Sequence, residues 1–190
     1  MQTQVTGKKI EVSEALREQA RKKVETICQK YDLSPLEASV TFSRNGPMIR
    51  CDVEMHLGHS VYVRAYHDTD EAYVCLEQAI ETFEKRLRRY KGKIIDHTKK
   101  RDVDYKKATG FQYVIHSETD KEVKGESPLI IAEMKTDIPE LTVSEAVMRL
   151  DLSAEQALLF NNAAHDQLNV VYRREDGNIG WISPSQNGKA

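Results

Sequence analysis

From Met48 to Leu57 the chain alternates cleanly between apolar and polar residues. Ile49, Cys51, Val53, Met55 and Leu57 point one way, and Arg50, Asp52, Glu54 and His56 point the other. Side chains of a strand fall on two faces with period two, so one face here is packed and the other is wet. A strand of this kind belongs to an antiparallel sheet covered on one side only. Whatever precedes and follows it must supply partner strands and one layer of helix.

The flanking sequence supplies both. Ala38–Ser43 reads as a short strand, Asn45-Gly46-Pro47 as a turn, and Gly58-His59 as a tight turn. Ser60–Tyr66 then returns with Val61, Val63 and Ala65 inside. Upstream, Val5–Val12 reads as a first strand with Gly7 marking a bend. Ser13 is placed to cap a helix whose Leu16, Ala20, Val24, Ile27 and Tyr31 fall at helical spacing. Downstream, Asp68 or Thr69 is expected to cap a second helix, with Tyr73, Leu76, Ile80, Phe83, Leu87 and Tyr90 as its core stripe. The order is strand, helix, three strands, helix. The fold class is α+β, a β-α-β-β-β-α domain with both helices on one face of a four-stranded sheet.

Beyond that domain, residues 1–97, the pattern breaks. Lys, Asp, Glu, Thr and Gly dominate residues 98–127, and only Phe111–Ile115 is apolar, so this stretch reads as a flexible linker. Residues 128–190 form a second, small α+β module. Its signs are a strand at Leu129–Met134, a capping box Thr142-Val143-Ser144-Glu145 and a helix burying Ala146, Val147 and Leu150 to about Asp151. Strands at Ala157–Asn161, Leu168–Arg174 and Ile179–Ile182 follow, the last two joined by a turn with the Asp176-Gly177 signal. A single core this small is marginal, and self-association is the usual remedy without disulfides or a metal. Phe160, Tyr172 and Trp181, with Val171 and Ile179 on the same strands, either face such an interface or fill the module's own core.

Charge is concentrated in one place. Lys85–Lys107 holds 11 of the 28 Lys and Arg, with three acids, in a chain of net charge −2. Residues 1–107 carry a net +4 and residues 108–190 a net −6, which suggests two modules with different partners. The dipole of the second helix favours two or three cations at its C-terminal end, but not six between Lys85 and Lys93 with five more beyond. Clustered Lys and Arg are the footprint of a polyanion site, most often nucleic acid. Arg17, Arg21 and Lys22 of the first helix extend that surface if the two helices lie side by side.

Several classes are excluded by what is missing. No apolar run reaches the roughly 20 residues of a membrane span, and MQTQVTGKKIEV lacks the basic-then-apolar pattern of a signal peptide. Cys28, Cys51 and Cys75 sit among apolar neighbours and read as buried free thiols, so the expected location is the cytoplasm. There is no Gly-rich phosphate loop, no C-x-x-C pair and no nucleophile–base spacing. No enzyme activity, cofactor, metal or small-molecule substrate is therefore expected.

The opening MQTQVTGKKIEVSEALR, the Asp68–Lys93 helix and LNVVYRREDGNIGWISP near the end resemble the long form of ribosome hibernation-promoting factor. The resemblance covers nearly the whole chain. It implies an N-terminal domain that binds small-subunit ribosomal RNA where messenger and transfer RNAs would sit, and a C-terminal domain that self-associates and joins two ribosomes. It also implies RNA contacts at Lys8, Lys9, Arg17, Arg21, Lys22 and Lys23, and on the second helix at Lys85, Arg86, Arg88, Arg89, Lys91 and Lys93. The dimer contact would involve Phe160, Val171, Tyr172, Ile179 and Trp181. Asn161 stands where the family often has a basic residue. The alternative is a binding module that modulates transcription or translation without pairing ribosomes.

Overall fold

In a computed structural model of the chain, residues 3–58, 61–99, 107–115 and 130–184 are described. Ser13 starts the first helix, α1 (Glu14–Tyr31): its hydroxyl accepts the Leu16 amide at 3.3 Å and satisfies one donor that a helix start leaves unpaired. The chain leaves α1 through Asp32, which takes the left-handed conformation at φ 52°. Before α1 lies β1 (Gln4–Lys8). After it come β2 (Glu37–Asn45), β3 (Met48–His56) and β4 (Tyr62–Thr69), then the long helix α2 (Ala72–Lys99). The sheet order is β1-β2-β3-β4, with β1 parallel to β2 and the other pairs antiparallel. The parallel pair follows from the intervening helix, which returns the chain to the same end of the sheet.

The alternation of β3 sets the layers as expected. Val40, Phe42, Cys51, Val53, Met55, Val63 and Ala65 are buried, and α1 and α2 cover them with Leu16, Ala20, Val24, Leu76, Phe83 and Leu87. Burying such an apolar side chain stabilises by about 1.5–3 kcal/mol. Two details differ from the sequence expectation. The first strand is shorter and ends at Lys8, and a Cβ on Gly7 would meet the Ile10 carbonyl oxygen at 2.2 Å, so the chain folds tightly back there. The second helix begins at Ala72, not after a cap at Asp68 or Thr69. Both residues continue β4, where Asp68 accepts hydrogen bonds from Arg50 at 3.0 and 2.8 Å. Tyr73 is 45% exposed, and the buried stripe of α2 instead includes Cys75 and Ala79. The expected Gly58-His59 turn lies partly outside the described residues.

The second sheet has the order β5-β6-β7-β8-β9. Its strands are β5 (Lys107–Ile115), β6 (Ile130–Leu141), β7 (Ala157–Asn162), β8 (Gln167–Arg173) and β9 (Ile179–Ile182), with helix α3 (Val143–Ser153) between β6 and β7. β5 lies inside the range read as linker. Its Phe111–Ile115 segment finds backbone partners in β6 from Lys135 to Ile130, so that part of the linker is a strand. Residues 100–106 and 116–129 lie outside the described residues. β6 meets β7 only at Glu140 and Leu141, in parallel, so β5 and β6 form a ribbon that diverges from the other three strands.

The capping box at Thr142 forms as the sequence indicates. Its side chain accepts the Glu145 amide at 3.3 Å, and Glu145 accepts the Thr142 amide at 2.9 Å. Leu141, Ala146, Leu150, Phe160 and Val171 make the small core, with Val147, Leu158 and Ile179 packed against it. Beside it Asn169 is buried and accepts from Asn162 at 3.1 Å and from the Trp181 indole N–H at 2.8 Å. No helix among the described residues is long and apolar enough to cross a membrane, and no group of His, Cys, Asp and Glu among them could hold a metal ion.

Candidate nucleic-acid interface

The two faces of the first domain differ in how their charges are used. On the open sheet face, cross-strand neighbours neutralise one another. Arg50 pairs with Asp68 and lies over the Tyr66 ring at 4.5 Å. Arg64 pairs with Glu54 at 3.0 Å and lies over Tyr62, which stacks on His56 at 4.3 Å. The hydrogen bonds from Arg50 hold the Asp68 carboxyl below the usual carboxylate range, as expected for a settled ion pair.

The helix face is different. α1 and α2 lie side by side, joined by Lys23 to Glu77 at 2.7 Å and by Lys30 to Glu84, which also accepts from the Tyr31 hydroxyl at 3.0 Å. The Lys30 bond leads the effects that hold Glu84 below its ordinary pKa. A groove between the helices is lined by Gln19, Lys22, Lys23, Thr26, Ile80 and Glu84. Three acids of α2, Glu77, Glu81 and Glu84, lie in its first half, and Asp96 lies near its C-terminal end. From Lys85 onward the exposed charged positions among the described side chains are Lys85, Arg88, Arg89 and Lys91.

The expected contact residues separate by environment. Lys8, Lys9, Lys22, Lys85, Arg88 and Lys91 are exposed. Lys85 pairs with Glu81 one turn earlier at 2.8 Å, and Lys91 lies over the Tyr31 ring at 5.5 Å. Arg21 is exposed and pairs with Glu14 at 3.2 Å. Lys23 is half-buried between the helices. The Lys93 side chain lies outside the described residues. Three arginines have structural partners instead. Arg17 donates to the carbonyls of Val5 and, at 3.3 Å, Val12, pinning β1 and the following loop to α1. Arg86 is half-buried and donates to the Arg64 carbonyl. Arg89 reaches across to Asp151 of α3 at 2.5 Å.

The five residues expected at a dimer contact are also separated. The inner face of β7-β8-β9 carries Phe160 and Val171, both fully buried in the module's own core, and Ile179 packs against them. They fill that core because it has few other large side chains. Trp181 is 52% exposed at the edge of the same face. The outer face is apolar as well, a feature the sequence reading did not single out. Leu159, Val170 and Ile182 are register neighbours across the three strands, and Leu168 and Tyr172 flank them. Leu159, Leu168 and Ile182 are exposed, at 43%, 49% and 56%. The signal was present: β7 and β8 are apolar at consecutive positions, as strands apolar on both faces are.

Two family models match the chain: sigma 54 modulation protein/S30EA ribosomal protein over residues 3–95, and the C terminus of the same family over residues 125–180. A ribosome hibernation promotion factor of Bradyrhizobium diazoefficiens is 35% identical over 198 residues, covering 100% of this chain and 97% of the relative. The chain belongs to the long-form ribosome hibernation promotion factors. Another hibernation promotion factor, from Rhizobium meliloti, is 34% identical and the match covers 96% of each chain. Among solved structures, a ribosomal subunit interface protein from Coxiella burnetii aligns with a TM-score of 0.40 at 25% identity, over 48% of this chain and 99% of that one. In this hibernation factor the two matched ranges fall on the two sheets, with β5 between them.

Proposed function

We propose that this hibernation factor binds the small ribosomal subunit in the cytoplasm, laying the α1/α2 face along ribosomal RNA in the channel used by messenger and transfer RNA. The observation that carries this reading is the contrast between the two faces. Arg50 and Arg64 on the sheet are already neutralised, while Lys22, Arg88 and Lys91 stand exposed on neighbouring helix surfaces, with Lys85 exposed beside Glu81, its partner one turn earlier. The match to ribosome hibernation factors over the whole chain supports the partner. Each cation that neutralises a phosphate releases counterions, so binding is strongly salt-dependent. Occupying the channel excludes its substrates by volume alone, with no chemical step. Structured RNA is met mainly through its shape and backbone, so no base-reading motif is required.

The second half of the proposal is that the C-terminal module self-associates and joins ribosomes in pairs. The outer face of β7-β8-β9, with Leu159, Leu168, Tyr172 and Ile182, is the surface we assign to that contact. Trp181 lies at the edge of the opposite, inner face. Identical patches meeting about a two-fold axis give a closed pair.

The RNA half is tested with Lys22→Glu, Lys85→Glu and Arg88→Glu combined. All three sites are exposed, so the fold is expected to persist. Cosedimentation with purified ribosomes should be lost at moderate salt, and the slope of log affinity against log salt should fall by about two to three. Unchanged cosedimentation would remove the helix face as the site.

A further inference from the structure

Helix α3 is apolar on two sides. Ala146 and Leu150 belong to the C-terminal core. Met148 and Leu152, four residues apart and thus one stripe, are fully buried in the core of the N-terminal domain. α3 lies along β4, the outermost strand of the first sheet, and against α2. Polar contacts surround the stripe. Asp151 accepts from Arg89 of α2 at 2.5 Å and from Arg173 of β8 at 3.2 Å, and Arg64 of β4 reaches Glu155 at 3.5 Å. Tyr90 of α2 also bonds to Asp151, and half-buried Arg86 lies close enough to feel its charge.

We infer that this face of α3 is a detachable docking surface whose partner is the chain's own N-terminal domain, and that RNA on α2 competes with Asp151 for Arg89. Three features carry the inference. First, a carboxylate and a phosphate present similar oxygens to a guanidinium. In the docked form Asp151 thus takes the place of a phosphate, and Arg89 cannot serve both. Second, the apolar part of the contact that α3 contributes is two side chains, Met148 and Leu152, beside the ion pairs from Arg89 and Arg64 and the bond from Tyr90. The C-terminal module keeps its own core of Leu141, Leu150, Phe160 and Val171 when it leaves. Third, the charges of the halves, +4 up to residue 107 and −6 beyond it, favour docking and make it sensitive to salt.

Coupling of this kind is reciprocal: docking weakens RNA binding by the factor by which RNA weakens docking. A ribosome-bound chain thereby frees its C-terminal module, while an unbound chain keeps it against α2. The competition rests on the proposed RNA reading; the docking surface does not.

Hydrogen exchange of the β4 amides in the full-length chain tests both. Asp151→Asn keeps the shape and removes the charge. It should speed β4 exchange severalfold and raise affinity for purified ribosomes by about fivefold or more. Arg89→Gln removes the same pair from the α2 side and leaves Asp151 bonded to Arg173 within the C-terminal module, so it should speed β4 exchange as Asp151→Asn does. Parent-like exchange in Asp151→Asn overturns the docking surface. Ribosome binding with β4 protection unchanged in the complex overturns the competition. If Asp151→Asn opens the face but ribosomes bind neither form, the RNA reading fails and the docking surface stands.

Discussion

Arg17 and Arg21 lie four residues apart on one helix, yet they do different work. Arg17 donates to the Val5 and Val12 carbonyls and is half-buried, while Arg21 meets only Glu14 at the surface. Hydrogen bonds to a charged donor contribute about 1.5–3 kcal/mol, and an exposed ion pair about 0–1. Arg17→Ala is therefore expected to destabilise by about 2 kcal/mol in urea unfolding, and Arg21→Ala by under about 0.5 kcal/mol. Equal, small losses at both sites would show that Arg17 does not pin β1. The sequence makes both residues cations on one helix and cannot separate them, because a bond to a distant carbonyl leaves no trace in side-chain spacing. Tyr172 is a similar case. A Cβ at Gly180 would come within 2.3 Å of its ring, so the ring covers a strand glycine, a use of the residue that its identity alone does not announce. Exposed cations such as Lys22, Lys85 and Arg88, by contrast, were legible, since charge at a solvent-facing helical position follows directly from period and composition.

Elements with one strong period were legible as elements. β3 alternates, α1 carries one stripe and α3 opens on a capping box, and each forms where its pattern indicates. What escaped were elements whose pattern serves two partners or a distant one. β5 leaves its apolar Phe111, Tyr113, Val114 and Ile115 exposed and is held by backbone pairing to β6, which composition does not encode. α3 was read through Ala146, Val147 and Leu150, and its second stripe, Met148 and Leu152, belongs to another domain's core. Asp151 at the end of α3 links this element to pH. Burial pushes its carboxyl up, but hydrogen bonds from Tyr90, Arg173 and Arg89 outweigh burial and hold it below the usual carboxylate range. The charges facing it are Arg86 and Arg89 from α2 and Arg173 from β8, and the neutral Tyr90 hydroxyl of α2 donates to it. A depressed folded pKa stabilises above the unfolded value of about 3.9 and stops doing so as pH falls through the folded value. The melting temperature of the parent should exceed that of Asp151→Asn at pH 7, and the gap should close as pH drops below about 4. A gap that persists at low pH would assign the effect to packing, not charge.

At the scale of the whole molecule, the division into two charged halves and two sheets was visible in the sequence, but the exposed apolar outer face of β7-β8-β9 was not. Phe160 was the natural candidate for a contact between copies, being large and apolar in a small module. It is instead fully buried in that module's core, and a carboxylate there would unfold it. The outer face offers a cleaner test of pairing. Leu159 and Ile182 flank Val170 across the strands and are exposed in the single chain. Leu159→Asp with Ile182→Asp should therefore leave the fold nearly untouched, since surface changes away from special features usually stay within about 0.5 kcal/mol each. Between two copies the same carboxylates would be buried without partners, costing several kcal/mol, and symmetry repeats the cost at two equivalent sites. The α1/α2 face carries neither residue, so ribosome binding should be retained. Sucrose gradients of ribosomes with the double variant should show the factor on single ribosomes and no paired peak, whereas the parent should give pairs. Paired ribosomes with the double variant would exclude the outer face of β7-β8-β9 and return the contact to the inner-face edge around Trp181.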